Sequence, residues 1–448
     1  MVEAERGAWV GWNESGCQPP AQQSGIQLYP VDLPSGLAAD YYNGFSNSTI
    51  WPAYHDCLEP PEIRPEWWTA YCRVNAVFAA VASKVAARRG TVWVHDYQLQ
   101  LVPALIRRTR PDLRIGFYLH VPVPTPEAFQ RLPHGAAILR GMLGADVIGL
   151  QRECDVAALR RLADRVLGLA PTRAPIRFAG RRVQIEAFPA AVDVAPIESL
   201  SDAASQSGRV ARLRADLGDP RTVVLAVERL DFTKGVEQRL EAYRGLLADG
   251  RLRAGETVLV QVLAPSRLGI PRYQRLRVRV AELVARINAE FGPAVRYIDH
   301  CLPIEDLVPL YRAADVMAVT PLRDGMNLVA KEFVASRTDF GGRLVLSRFA
   351  GAVDQLGRAA LLVDPHDVRD VQSKLMQAIQ MGPEEAARRM RELRASFVGH
   401  DANQWGRTIL DRIERSRRPT AMRVVREPDT APPRRRGRHG PSTMDVRG

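Results

Sequence analysis

The feature that most constrains the fold is an alternation. Short, almost unbroken apolar runs are separated by stretches whose apolar residues recur every three to four positions. The runs are "TVWVHDY" (91–97), "RIGFYLHVPV" (114–123), "VIGLQ" (147–151), "TVVLAVERL" (222–230), "TVLVQVLAP" (257–265), "VMAVTPL" (316–322), "RLVLS" (343–347) and "ALLVDP" (360–365). A strand without polar alternation needs cover on both faces, which is the condition of a parallel strand between helix layers. Between the runs lie helices such as "YQRLRVRVAELVARINAEF" (273–291), where Leu276, Val280, Leu283, Ile287 and Phe291 form one stripe and the arginines take the wet face. The pattern is that of an α/β protein, and 448 residues are enough for two such domains. Small, polar and proline residues break the pattern at "FPAAVDVAPIESLSDAASQSG" (188–208). We place the boundary there: an N-terminal domain 1–193, a C-terminal domain 194–398, a helix 399–418 expected to pack back toward the N-terminal domain, and a tail 419–448. Two such domains facing each other across a cleft present two sets of strand ends, where ligands of these sheets bind.

The net charge of +12 raises the question of a nucleic-acid partner, and its location answers it. From Arg415 onward ten arginines stand against three acids, so +7 of the excess sits in a Pro/Arg-rich segment without aliphatic periodicity. That reads as a disordered, solvated tail, with a tether to nucleic acid or an acidic surface as the alternative, and no nucleic-acid partner is expected of the rest. The cysteines (Cys17, Cys57, Cys72, Cys154, Cys301) are scattered and form no CxxC pair, which speaks against a zinc site or a disulfide framework and for a reducing cytoplasm. No signal-peptide pattern opens the chain and no apolar stretch approaches the ~20 residues of a membrane span. Self-association stays open.

Four clusters carry chemistry. In "TPLRDGMNLVAKEF" (320–333) a strand ends at Thr320–Pro321, an Asp-Gly turn follows, and a helix starts after Asn327. Uncapped N–H groups at such a start attract anions, and an acid one turn further in can accept from a polyol. In "VERLDFTKG" (227–235) Arg229 and Lys234 follow a strand directly, two cations suited to a diphosphate, each worth about 4 kcal/mol at contact in a medium of dielectric ~20. The plainer reading is a surface Arg and Lys beside Glu228 and Asp231. There is no DxD carboxylate clamp, so a diphosphate leaving group would be neutralised by side chains and backbone rather than a metal. The third cluster is "YYNGFSNSTIWP" (41–52) with "GAWVGW" (7–12), whose Tyr42, Trp51 and Trp9 suit either sugar stacking or core packing. The fourth, "WVHDYQLQLVP" (93–103) with "FYLHVPVP" (117–124), puts His95, Asp96 and His120 at strand ends.

Taken in order, "YYNGFSNSTIWP", "HDYQLQLVP", "LHVPVPTPEAF", "VERLDFTKG", "APSR" and "TPLRDGMNLVAKEF" closely resemble the trehalose-6-phosphate synthases, retaining glycosyltransferases built from two Rossmann-like domains (GT-B). The resemblance runs from about Gly7 to about Arg418. It implies transfer of glucose from a nucleoside diphosphate glucose (uridine, guanosine or adenosine) to glucose 6-phosphate, giving α,α-trehalose 6-phosphate with retention, without metal or other cofactor. It further implies that Arg229 and Lys234 hold the donor diphosphate. Asp324, with the backbone of Gly325, Met326, Asn327 and Leu328, would grip the donor glucose and phosphates. Glu332 would accept from the ribose and His120 would contact the donor glucose. Asp96, Tyr42, Trp51 and Trp9 would shape the acceptor pocket, and Arg267 of "APSR" would bind the acceptor's phosphate. Arg229, Lys234, Asp324 and His120 are the expected catalytic set.

The chain departs from that pattern at its start. Members of the family begin with a strand, an "SNR"-type arginine and a Gly-Gly loop ahead of the "GAWVGW" equivalent, where this chain opens. The expectation is a native start upstream of Met1, with a weakened acceptor-phosphate site and exposed sheet edges in the 448-residue form. The competing readings are a sister transferase using another phosphorylated acceptor, such as glycerol 3-phosphate or a cyclitol phosphate, and a catalytically silent regulatory paralogue.

Overall fold

The computed structural model describes residues 7–13, 22–23, 25–56, 60–170, 174–397, 399 and 401–416. The tail 419–448, Cys17 and Cys57 lie outside the described residues. Three sheets are present. A small one joins β1 (Ala8–Trp12), β2 (Gln22–Gln23) and β3 (Ile26–Val31) in the order β1-β3-β2. The second holds β4 (Thr91–His95), β5 (Arg114–Tyr118), β6 (Val147–Leu150), β7 (Ile176–Phe178) and β8 (Arg181–Ala187) in the order β4-β5-β6-β8-β7, with only β7 antiparallel. The third is wholly parallel: β9 (Thr222–Arg229), β10 (Thr257–Ala264), β11 (Val295–Ile298), β12 (Val316–Val319), β13 (Arg343–Ser347) and β14 (Leu361–Val363), in the order β11-β10-β9-β12-β13-β14.

The apolar runs become parallel strands for the reason their composition suggests. Along β9, Val223, Leu225 and Val227 pack into one cluster with Ile197, Val308, Tyr311 and Phe333, while Val224 faces a second with Leu240, Tyr243, Leu276 and Leu375. Helices thus cover both faces, and every β12 and β6 side chain is buried. β4 is an edge strand of its sheet among the described residues, and β5 is internal.

The chain passes between the two larger sheets at 188–193 and again after the helix Pro383–Ala395. The helix Ala402–Arg415 then lies on the first of them, where Ile409 and Ile413 pack with Tyr118, Val147 and Phe188. Gly116 in β5 admits that helix: a Cβ there would lie 2.2 Å from Ile413 Cδ1. No helix among the described residues is long and apolar enough to cross a membrane.

Candidate active site

The parallel sheet reverses direction at β9. The chain runs outward through β10 and β11, then returns to lay β12 on the other side of β9. Ligands of open parallel sheets sit beyond the strand ends at such a reversal. The two loops that leave β9 and β12 carry Arg229 and Lys234 on one side and Asp324 to Asn327 on the other. Gly235, at φ +67°, lets them touch, since a Cβ there would lie 2.2 Å from the Thr320 carbonyl. Lys234 Nζ donates to Asp324 Oδ2 at 2.6 Å, and Asn327 Nδ2 donates to the same oxygen at 3.1 Å. Burial pushes the Asp324 carboxyl up, but Lys234, His55 and the Asn327 hydrogen bond together outweigh it and hold the group below the usual carboxylate range.

The helix Leu328–Ser336 does start at this point, yet it is not uncapped as expected. Asn327, at φ +79°, accepts from Ala330 N–H at 3.1 Å through its side chain. The cap takes the third N–H, and those of Leu328 and Val329 come before any in-helix carbonyl partner, so they stay suited to an anion. Met326 is buried in the core and Leu328 is exposed. One turn in, Glu332 Oε2 accepts from Tyr311 OH at 2.9 Å. Burial raises the Glu332 carboxyl and this hydrogen bond pulls it part of the way back.

Facing these loops are the ends of β4 and β5. The loop after β12 touches them directly: a Cβ on Gly325 would fall 2.1 Å from His120 O, so this approach requires glycine. His120 Nε2 and His95 Nδ1 lie 3.1 Å apart, one donating to the other. Burial draws His95 down to about 3 and His120 to about 4, so the pair is neutral near pH 7. Asp96 Oδ1 accepts from His120 N–H at 3.1 Å, and burial raises that carboxyl to about 6 against the pull of its hydrogen bonds and of Arg229 and Arg267.

"YYNGFSNSTIWP" folds in a way the sequence did not announce. Ala39–Ile50 winds as a π-helix, continued by Trp51–Tyr54, and such wide turns concentrate at functional sites. Its outcome is a joint between the halves. The Arg267 guanidinium carbon lies 3.8 Å from the Trp51 ring centroid, and that of the exposed Arg229 lies 5.8 Å from it. Trp51 Nε1 donates to Asp231 Oδ1 at 3.3 Å, and Arg267 Nη1 donates to Asp231 Oδ2 at 2.6 Å. Three of the non-glycine residues at positive φ are Asp96 (+72°), Arg267 (+52°) and Asn327 (+79°), all in this cluster. Backbone strain of this kind costs about 1–3 kcal/mol per residue and collects at binding sites.

The structure therefore brings together Arg229, Lys234, Asp324, Gly325, Asn327 and Glu332 from the parallel sheet with His120, Asp96 and Trp51 from the other, and Arg267 at their junction. Tyr42 sits at the rim, its ring 5.4 Å from that of Trp12. Trp9, on β1, is 53% exposed, and Trp12 is the tryptophan whose ring meets Tyr42. The plainer reading, a surface Arg and Lys beside Glu228 and Asp231, fits Arg229, which is exposed, but not Lys234, which is buried. Asp231 is fully buried, and the Glu228 side chain, 6% exposed, pairs with Arg239 and accepts from Gln261. Residues that sequence reasoning missed include Asp231, Tyr97, Tyr273, Tyr311 and His55. His55 was findable: four residues after Trp51 in a helical stretch, its ring lies tilted against that indole with centroids 4.0 Å apart, and it donates Nδ1–H to the Trp51 carbonyl at 2.9 Å. Among the described residues no group of three or more His, Cys, Asp or Glu could hold a metal ion.

Comparison with known proteins fits this geometry. The family model for glycosyltransferase family 20 matches residues 1–415. A trehalose-6-phosphate synthase of Mycobacterium sp. (strain JLS) is 44% identical over 428 residues, covering 92% of this chain and 88% of that protein. A crystal structure of the UDP-forming α,α-trehalose-phosphate synthase of Burkholderia xenovorans with glucose 6-phosphate is 30% identical, with a TM-score of 0.86 over 91% of this chain and 93% of that one. The Escherichia coli enzyme bound to UDP-2-fluoroglucose is 31% identical, with a TM-score of 0.86 over 92% and 94%. The two sheets meeting at their strand ends are thus the two Rossmann-like domains of a GT-B enzyme, and the chain belongs to glycosyltransferase family 20.

Proposed function

We propose that this enzyme transfers glucose from a nucleoside diphosphate glucose to glucose 6-phosphate, forming α,α-trehalose 6-phosphate with retention and without a metal. The observation that carries the reading is the reversal point of the parallel sheet, where Lys234, Arg229 and the start of the Leu328–Ser336 helix converge within reach of His120. The diphosphate sits on the cations and N–H groups, the ribose on Glu332, and the glucose between Asp324 and His120. The UDP-2-fluoroglucose bound by the Escherichia coli protein and the glucose 6-phosphate bound by the Burkholderia protein support a nucleotide sugar and a sugar phosphate as the substrates here.

The anomeric C–O bond to phosphate breaks while the acceptor's anomeric hydroxyl bonds to the same carbon. Negative charge grows on the departing phosphate, where preorganised cations and dipoles act most strongly. The nearby carboxylates are committed elsewhere: Asp324 to Lys234, Asp231 to Arg267 and Trp51, Asp96 to the His120 N–H. None is placed as a nucleophile, which favours attack from the leaving-group face, the departing phosphate oxygen taking the acceptor's proton. The neutral His95–His120 pair offers hydrogen bonds to the sugar rather than charge. Closure of the halves aligns the partners and keeps water out.

The test is a matrix of UDP-, GDP- and ADP-glucose against glucose 6-phosphate, glycerol 3-phosphate and a cyclitol phosphate, each with and without EDTA. Trehalose 6-phosphate formed equally in EDTA is the expected result. Turnover only with another phosphorylated acceptor moves the enzyme to a sister activity, and EDTA inhibition reversed by magnesium ends the metal-free reading.

A further inference from the structure

Asp231 is fully buried and reaches both halves of the molecule. Its Oδ1 accepts from Trp51 Nε1 at 3.3 Å and from Thr233 N–H at 3.0 Å. Its Oδ2 accepts from Arg267 Nη1 at 2.6 Å and from Tyr273 OH at 3.1 Å. Arg267 Nη1 also donates to that tyrosine oxygen, and Nη2 donates at 3.2 Å to Tyr97 OH, which in turn donates to Asn47 in the π-helix at 2.7 Å. A guanidinium has five N–H donors. Three are engaged here, and Nε, buried, has no partner among the described residues. The engaged end is the one that meets Asp231 and Tyr273; Nε–H and one Nη2–H are what Arg267 has left for a ligand.

We infer that Asp231 is the positioning residue of the acceptor subsite: one carboxylate holds the Trp51 ring from one half and the Arg267 guanidinium from the other in a single stack, leaving the Nε side of Arg267 for the acceptor's phosphate. The inference rests on the proposed reading of Arg267 as the phosphate ligand. The stack needs both halves in contact, so the acceptor subsite is assembled by closure, whereas Lys234, Asp324 and Glu332 all belong to one half. A change at Asp231 therefore acts on the acceptor and largely spares the donor. Asp231→Asn isolates the point: its side-chain oxygen can still accept from Trp51 and Thr233, but its NH2 faces Arg267 donor to donor.

Steady-state kinetics of Asp231→Asn, varying each substrate in turn, tests this, with UDP-glucose binding by calorimetry as the control for an intact fold. The KM for glucose 6-phosphate should rise at least about tenfold, the loss of one charge-assisted contact, while the UDP-glucose KM stays within about threefold. Trp51→Phe, which keeps a ring but loses the N–H, and Tyr273→Phe should each raise the acceptor KM alone by about threefold. They decide the matter if Asp231→Asn does not fold. Trp51→Phe on top of Asp231→Asn should add less than it does to wild type. A lower acceptor KM in Asp231→Asn would show that the carboxylate competes with the phosphate and overturn the inference, as would an equal rise for both substrates or none. If wild type ignores glucose 6-phosphate but uses another phosphorylated acceptor, the proposed acceptor falls, and Asp231 is judged by the KM of the acceptor used.

Discussion

Two ion pairs of equal length stand in the candidate site in different surroundings. Lys234 and Asp324 meet at 2.6 Å with 11% and 14% of their side chains exposed. Arg267 and Asp231 also meet at 2.6 Å, with 2% and 0% exposed. Distance alone would rank them alike; access to water separates them. An incoming phosphate can take over Lys234 while sugar hydroxyls and water solvate the oxygen that Asp324 gives up. The sealed pair is cut off from water, and removing one member strands the other at a cost of about 3–5 kcal/mol. The open pair is suited to charge that changes during the reaction, and the sealed pair to holding shape.

The largest effect should come from the open pair. Lys234→Ala should lower kcat by a hundredfold or more, and Arg229→Ala by about a hundredfold, with smaller changes in donor KM, because both face charge that grows as the bond breaks. If both variants altered donor KM alone, these cations would not be stabilising the leaving group.

Acid should next separate the two halves. His55, His95 and His120 are held neutral by burial, at about 4, about 3 and about 4, against ~6.5 in an unfolded chain. Below pH ~6.5 the unfolded chain binds more protons at these positions. Their stabilisation is therefore complete above that pH and is lost on acidification toward pH 4. Asp96 and Asp155, raised to about 6 by burial, act in the opposite sense, since the folded protein takes up those protons first. Each histidine loses on the order of 2 kcal/mol between pH 6.5 and 5, and each of these acids returns somewhat less, so the balance is a loss. All five lie on the side of the β4-β5-β6-β8-β7 sheet, while Glu228 and Glu332, also raised by burial, lie on the parallel-sheet side. Asp324 and Asp231 are held below the usual range and stay ionised throughout this window, Asp231 because Arg267, the Thr233 N–H and Lys234 outweigh its burial. Melting temperature should fall between pH 7 and pH 5, and fall less in His55→Gln; an equal slope in that variant would show that His55 is not held neutral.

Tyr311→Phe removes one hydrogen bond to a partly buried carboxylate on the donor side. It should raise the KM for UDP-glucose about three- to tenfold and leave the acceptor KM alone. A matching rise for glucose 6-phosphate would mean that Tyr311 serves packing rather than Glu332. The smallest effect belongs to Trp9→Ala. Exposed on β1, Trp9 should leave both KM values within about twofold, and an acceptor KM raised tenfold would place it in the acceptor pocket.

The parallel sheet was legible because β9, β10 and β12 are uninterrupted apolar runs. β11, "VRYI", was missed because Arg296 is exposed and half the strand is only partly covered. β8 was masked by Arg181, whose guanidinium is buried against Asp146 at 3.2 Å and reads in sequence as a solvent-facing charge. In the site, the block 320–333 could be read from local order alone, since strand, turn and helix follow within a few residues. Asp231 could not. Trp51 and Arg267 lie 180 and 36 residues from it, and nothing within "VERLDFTKG" distinguishes a buried acid from a surface one. The π-helix was hidden for a similar reason: its wide turns are secured by contacts such as Asn47 Nδ2 to Tyr42 O at 2.8 Å and Tyr97 OH to Asn47 Oδ1 at 2.7 Å, the second from another element.

The helix Ala402–Arg415 returns the chain to the first sheet, so the two halves are joined at two places rather than one. A body tethered at a single point can tumble about three axes; tethered at two, it turns only about the line between them. Here the two tethers are also fastened to each other, Trp405 Nε1 donating to the Phe188 carbonyl at 3.0 Å and Arg412 pairing with Glu186. Opening is then expected to be one rotation with its axis near Phe188 and Trp405, which spin-label distances can check: narrow for a pair at 186 and 412, broad for one at 43 and 268. Parts nearest the axis barely move, and travel grows with distance from it, so a single angle sets how far every substrate-facing group on one half stands from its counterpart on the other.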